Sequence, residues 1–530
     1  MLDCTLRDGG YINDWEFGHD NIINIFERVV SSGVDVIEIG FLDDRRTFDI
    51  NRSIMPDTDS IARIYGALDR KDTMVVGMID YGTCDISNIK PCAESYIDGI
   101  RVIFKKPKMR PAMEFCRQLK ALGYKVFSQL VSITAYSDDD LKEIVELANE
   151  IKPYALSMVD TYGLLNPTEL SHIMGVIDEN MDPGIILGFH AHNNFQLGYV
   201  NATTALDYDS DRDILVDGTL YGMGKSAGNA PLELVGMYMN EHYGKDYVIT
   251  EMQEAITTSV MDFQRRSPWG YQLFYYIAAS NRVHPDYVSY LMNKRTLSIT
   301  AINDILKRIP DEQKLEKNMK LVESLYMDYQ KNECDDVSDI SSLSAELKDR
   351  KILMIGPGVS VKMNRDKIDG YIASNDPVII SINYIPKDHH PDYMFVTNTT
   401  RFLQSATRLH DVKNRDIKLI ASSNLTKVER DFDYVINYSS VIDERAEFPD
   451  NSMCMLIRTL IKCGCKRVAL AGFDGYTPDN VNYFDLDKAY SFLNEKAGSL
   501  NEYAVKFFEE VKDKIEVEFI TPSEYVNKGE

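Results

Sequence analysis

Residues 2–11 read LDCTLRDGGY, a β-prone run that ends in Arg7, Asp8 and two glycines. The pattern predicts a strand over Leu2–Leu6. The glycine pair predicts a turn where backbone can approach another group closely. A strand that delivers an arginine and an aspartate to such a turn suits the carboxyl end of a barrel strand, where α/β barrels carry their chemistry. Similar runs follow: VDVIEIGF (34–41), TMVVGMI (73–79), GIRVIF (99–104), KVFSQLV (125–131), ALSMVD (155–160), IILGFHAH (185–192) and ILVDGTL (214–220). Amphipathic stretches such as DNIINIFERVVSSG and SDDDLKEIVELANEIK separate them, with apolar residues at helical spacing. Eight strand–helix units between residue 2 and about residue 225 predict a (β/α)8 TIM barrel in preference to a doubly wound sheet.

A chain of 530 residues exceeds one ordinary domain. We expect the barrel domain over 1–245 and a helical extension with an acidic linker, NECDDVSDISSLSAELKDR, over 246–345. A second, Rossmann-like α/β domain is expected over 346–530, opening on KILMIGPGVSV. The 44% hydrophobic and 26% charged fractions are those of globular proteins. There is no apolar run of membrane-spanning length and no signal-peptide pattern, and site-like residues begin so early that little room is left for a leader. The formal net charge of −24 argues against nucleic-acid binding, though not against a local basic pocket. Eight scattered cysteines without a CxxC pair read as reduced thiols, and the expected location is cytoplasmic.

Reading the predicted strand ends gathers Arg7, Asp8, Glu38, Gln129, Asp160 and the run HAHNN. His190 and His192 are two apart on a strand, so their imidazoles share a face. Their strand and that of Asp8 are both odd-numbered, so Asp8 can approach the pair across the barrel mouth. Two imidazoles and a carboxylate leave open positions on a divalent ion.

Together DCTLRDG, HAHNN and GMGKSAGNAPLE resemble the DRE-TIM metallolyases, the superfamily of 3-hydroxy-3-methylglutaryl-CoA lyase, 2-isopropylmalate synthase and 4-hydroxy-2-oxovalerate aldolase. The resemblance covers residues 1–240. It implies Asp8, His190 and His192 as metal ligands, with Asn229 a further one, and Arg7 as the arginine that steadies an enolate. The implied ion is Mn2+, Mg2+ or Co2+ in preference to Zn2+. Aldolases of the group carry a histidine where this chain has Tyr11, so Tyr11 is either the acid or base or a residue that shapes the substrate pocket, with Glu38 beside the catalytic arginine. Gln129, Asp160, Lys105 and Trp269 are candidate substrate contacts. Lys105 belongs to an exposed basic pair suited to an anionic group, and Trp269 is either a channel wall or a packed aromatic core residue.

In the second domain, KILMIGPGVSV, SINYI and RVALAGFDGY resemble sialyltransferase-like glycosyltransferases. By that resemblance Gly356, Gly358, Ser360, Asn383 and Asp474 would contact a nucleotide or nucleotide-sugar. The last histidine, His410, lies upstream of GFDGY, so transfer chemistry there is in doubt. The combined expectation is a divalent-metal aldolase acting through the enolate of a 2-oxo acid such as pyruvate. Its acceptor is an aldehyde, taken to be a sugar aldehyde of surface-glycan synthesis, and the enzyme is taken to be a homo-oligomer. The alternatives are an acyl-CoA synthase or lyase of the same superfamily, and an inactive barrel serving as a sugar-binding scaffold.

Overall fold

Leu2 pairs with Val36 on one side and with Asp217 on the other, which closes a ring of parallel strands. In the computed structural model the strands of this ring are β1 (Leu2–Asp3), β2 (Val36–Leu42), β4 (Met74–Asp80), β5 (Gly99–Phe104), β6 (Lys125–Val131), β7 (Ala155–Asp160), β8 (Ile186–Ala191) and β9 (Ile214–Gly218). A two-residue strand, β3 (Ile54–Met55), adds to the end of β2. The structure describes residues 1–294, 297–409, 411, 416–425, 432–446, 449–477 and 497–526, and His410 lies outside them. The chain divides into two units, Met1–Pro285 and Asp286–Glu530. The first is the predicted (β/α)8 barrel.

The interior of the barrel is layered. Leu2, Val36, Val76, Phe127, Ala155 and Leu215 form one buried apolar cluster. Two residues further along the strands stand Glu38, Gln129, Ser157 and Asp217, all buried, and Arg101 is buried with them. Because side chains alternate along a strand, a step of two keeps the same face, so the lining turns from apolar to polar toward the carboxyl ends. Outside the ring, helices bury stripes such as Ile22, Ile25, Phe26, Val29 and Val30 of His19–Ser31. Capping boxes at Ser137/Asp140 and Asn166/Glu169 start two of them.

Two expectations need correction. The first strand is two residues long, not five: Thr5–Asp8 is a helical turn, followed by a 3₁₀ turn over Gly9–Ile12. The cause is local. Thr5 donates its hydroxyl and backbone N–H to Asp3, and the Arg7 and Asp8 N–H groups both reach Cys4 O, so the backbone curls over the barrel mouth. The second correction is the acidic stretch read as a linker, which contains the helix Val337–Leu347. Its Leu343 and Leu347 are sealed in the core of the second unit. Asp339 accepts from Val435 N–H and Glu346 from Tyr434 and Lys418, so the acids hold the helix in place rather than keep it solvated.

The stretch read as a helical extension divides between the units. Helix Ile249–Ala255 continues through a π turn into Met261–Arg266, and Met252, Ala255 and Val260 join the barrel core. Arg28 of the first barrel helix bonds Glu251 at 2.7 Å.

The second unit is an all-parallel sheet of β10 (Ile352–Ile355), β11 (Val378–Ile382), β12 (Tyr393–Val396), β13 (Lys418–Ser422), β14 (Tyr434–Ile436), β15 (Arg467–Ala471) and β16 (Glu516–Phe519). Its order is β14-β13-β12-β11-β10-β15-β16. Ile352 and Met354 enter one core cluster and Leu353 and Ile355 another, so both faces are covered, as in doubly wound folds. The order reverses between β10 and β15, where such sheets have their crevice.

Candidate functional site

Asp8 is 1% exposed at the mouth of the barrel. Its Oδ1 accepts from Arg7 Nη1 at 2.5 Å. Its Oδ2 accepts from Asn229 Nδ2 at 2.6 Å and from the Lys225 N–H at 3.2 Å. Two glycines allow this convergence. A Cβ on Gly224 would lie 2.2 Å from Asn229 Nδ2 and 2.4 Å from Asp8 Oδ2. A Cβ on Gly10 would lie 2.0 Å from Trp15, whose indole N–H donates to Arg7 O at 2.7 Å and so clamps the turn.

Across the mouth, His190 is the penultimate residue of β8 and His192 follows its end, with ring centroids 5.1 Å apart. His190 Nδ1 lies 3.0 Å from Asp217 Oδ2. A carboxylate only accepts, so Nδ1 carries the proton and Nε2 presents a lone pair. Asp8, His190 and His192 offer ligand atoms that all lie within 4.8 Å of one another. His190 Nε2, His192 Nδ1 and Asn229 Oδ1 are buried and have no hydrogen-bond partner. Buried polar atoms without partners are uncommon and call for a ligand. Two imidazoles, a carboxylate and an amide oxygen are the donor set of a divalent ion, so these residues fit one.

Charge agrees with this. Burial opposes ionisation of Asp8, yet Arg7, His192, His190 and the Asn229 amide outweigh it and hold the carboxyl well below its ordinary range. Burial lowers His192 to about 3, with His190, Lys225 and Arg7 adding to the effect, so its imidazole stays neutral and able to ligate. Asp217 is likewise held low: burial opposes it, but Arg101 and His190 prevail.

Arg7 is held between two carboxylates. Its Nε donates to Glu38 Oε2 at 2.7 Å and its Nη1 to Asp8, leaving Nη2 without a partner among the described residues. It is therefore a salt-bridged arginine with a donor group to spare. Glu38 acts as its anchor, and Oε2 of Glu38 is shared with Arg101 Nη1 at 3.1 Å. Tyr11 packs edge-on against Trp15 and Phe41 at the mouth. Although the residue is 42% exposed, desolvation, reinforced by Asp8, pushes its hydroxyl up to about 12.

The substrate-contact candidates separate. Gln129 is buried in the polar layer; its Oε1 accepts from Arg101 at 3.0 Å and its Nε2 is buried without a partner. Asp160 is turned to the backbone, accepting from Leu164 and Leu165 N–H at 2.9 and 3.0 Å, and burial raises it to about 6. Lys105 is exposed on the turn after β5, where its charge bears on Asp80. Trp269 is 7% exposed and donates to Tyr221 O at 2.9 Å, so it packs on the loop that carries Asn229. Arg101 and Asp217 were not singled out from the sequence. The available signal was a charged residue inside a strand otherwise apolar enough to be buried on both faces.

In the second unit, Gly356 and Gly358 follow β10 beside Gly472 and Asp474, which follow β15. The Gly356 and Gly358 N–H groups donate to Ala471 O and Gly472 O at 2.8 and 2.9 Å. Ser360 donates its N–H and hydroxyl to Asp474. Asn383, at φ +59°, bonds Thr397 and Ser452. The five residues thus divide into two internally bonded groups, and the glycine turn spends these N–H groups on its own protein.

Residues 1–261 match the HMGL-like family. The barrel unit thus carries an HMGL-like domain. It is 28% identical over 237 residues to 4-hydroxy-2-oxovalerate aldolase 2 of Salinispora arenicola, covering 44% of this chain and 66% of that protein. It is 26% identical over 247 residues to oxaloacetate decarboxylase of Mycobacterium tuberculosis, covering 44% and 67%. Among solved structures, the N-terminal domain of an aldolase candidate from Bacteroides vulgatus is 23% identical, with a TM-score of 0.47 and coverage of 56% of this chain and 97% of that one. The chain therefore spans about two thirds of the length of these two curated relatives, and the HMGL-like match ends at residue 261, before the second unit begins.

Proposed function

We propose that the HMGL-like domain is a divalent-metal-dependent aldolase that forms or cleaves a carbon–carbon bond next to the carbonyl of a 2-oxo acid such as pyruvate. The observation that carries this reading is the convergence of Asp8, His190 and His192, with unpartnered buried ligand atoms, beside the spare Nη2 group of Arg7. A divalent ion held by Asp8, His190 and His192, with Asn229 Oδ1 in reach, would supply Lewis acidity at the keto oxygen. Mn2+, Mg2+ and Co2+ suit the mixed nitrogen and oxygen set.

The chain's own groups do the rest. Asp217 holds His190 in the tautomer that ligates. Glu38 and Asp8 hold the Arg7 guanidinium rigid, so its Nη2 donates to the oxygen on which charge gathers as a proton leaves the neighbouring carbon or a carbon–carbon bond breaks. Pre-set donors of this kind act without reorganising during reaction. Tyr11, protonated across the working range, serves as a hydrogen-bond donor or acid at the mouth rather than as a resting base. Gln129 Nε2, buried without a partner, is the donor this reading assigns to a substrate oxygen. The acceptor in this reading is an aldehyde, and a sugar aldehyde rests on the resemblance of the second unit alone.

Exchange of pyruvate C3 protons in D2O, followed by NMR with Mn2+ or with chelator, tests the proposal. Metal-dependent exchange that is lost in Asp8→Ala and falls about 10²–10³-fold in Arg7→Lys supports it. Metal-loaded enzyme that exchanges none of several 2-oxo acids, alone or with aldehydes present, overturns it.

A further inference from the structure

Arg101 is the bulkiest fully buried side chain among the described residues, and it sits inside the barrel in the middle of β5. Small barrels normally fill this layer with Val, Ile and Leu. A buried arginine costs desolvation that a hydrophobic residue avoids, so bare stability does not account for it. Its guanidinium makes three bonds. Nη1 donates to Glu38 Oε2 at 3.1 Å, and Nη2 donates to Gln129 Oε1 at 3.0 Å and to Asp217 Oδ2.

Each acceptor has a second task. The Glu38 oxygen it holds also holds Arg7 Nε at 2.7 Å. The Asp217 oxygen it holds also faces His190 Nδ1 at 3.0 Å. Engaging Gln129 Oε1 leaves the amide nitrogen buried and unpartnered. The donor arm of the site and one of its ligand arms thus meet on one planar fork. A lysine could not reproduce this, since an ammonium lacks the fork geometry and the reach to three acceptors.

We infer that Arg101 is a positioning residue that sets the His190 ligand and the Arg7 donor together, so that affinity for the ion and steadying of charge share one support. The inference rests on the metal reading proposed above. It is tested on the full chain stripped with chelator, by calorimetric titration with Mn2+, the Mn2+ EPR spectrum and the D2O exchange rate, each beside a thermal melt. Arg101→Lys, which keeps the charge, is expected to fold with a lowered melt, because its buried acceptors lose part of their bonding. It should bind Mn2+ about 10–100-fold more weakly, as loss of a residue supporting a ligand usually does, with an altered EPR spectrum and slower exchange. Folded Arg101→Lys with wild-type Mn2+ affinity and exchange overturns the inference. Should Arg101→Lys fail to fold, Asp217→Asn reads the same link from the His190 side, and unchanged Mn2+ affinity there overturns it equally. Wild-type protein that binds no Mn2+ refutes the metal reading instead, so the two failures are distinguishable.

Discussion

Asn229 Nδ2 lies 2.6 Å from Asp8 Oδ2, joining residues 221 positions apart in the chain. The bond fixes the amide: its nitrogen faces the carboxylate, and its oxygen is left buried without a partner beside the histidines. Asn229→Asp replaces a donor with a second carboxylate at that distance. Two such carboxylates cannot both ionise freely, so one keeps a proton to higher pH. We expect Mn2+ affinity to depend more steeply on pH in Asn229→Asp than in wild type, recovering as pH rises. Calorimetric titrations between pH 5.5 and 8 would separate them, and superimposable profiles would refute the amide's role.

The lowered pKa of His192, about 3, has a consequence for stability without metal. An unfolded histidine titrates near 6.5, so between roughly pH 6.5 and 3 the unfolded chain binds a proton that the folded protein refuses. Stability therefore falls as pH drops through that window, by about 1.4 kcal/mol per pH unit for this group. Chelator-treated His192→Asn should show a correspondingly flatter decline in stability, measured by denaturant unfolding from pH 6.5 to 5. An unchanged slope would show that His192 is not held neutral by the fold.

Gly224 tests the packing of the centre rather than its charge. An added Cβ would meet both Asp8 Oδ2 and Asn229 Nδ2 well inside contact distance. Gly224→Ala should keep the circular dichroism of the barrel and lose at least tenfold in Mn2+ affinity. A control at Gly370, inside the helix Arg365–Asn375, where an added Cβ meets nothing within 4 Å, should leave binding unchanged.

Leu343 reports on the acidic helix of the second unit. It is 0% exposed in the core. Leu343→Ala should destabilise that unit by about 2–5 kcal/mol, the range for a buried leucine. Denaturant unfolding of the full chain, followed by probes of the second unit, measures it; a loss under 0.5 kcal/mol would return the stretch to the status of a linker.

The barrel could be read from order and spacing because those are local properties. Runs of β-branched residues, helical stripes and the step of two between His190 and His192 concern neighbours in the chain, and they place Asp8 and both histidines at strand ends before any contact is known. Both sheets followed from the same patterns. Turns were harder even at short range: the strand drawn through Leu6 ends at Asp3, because Asp3 and Thr5 bond each other and curl the chain. The acidic helix was read as a linker because its charges hide two leucines whose partners lie on distant strands.

The fine structure of the site belongs to another order of information. Arg101 meets Asp217 across 116 positions and Glu38 across 63. Asp160, at a strand end like the ligands, spends its oxygens on the N–H groups of Leu164 and Leu165. Nothing near either residue in the chain separates the buried arginine that supports a site from one that merely fills space, or a carboxylate that binds from one that caps a turn. That distinction depends on which donors closure of the barrel brings within hydrogen-bonding distance. A buried charge is kept only where those donors and acceptors match it, and the match exists only once the ring has closed.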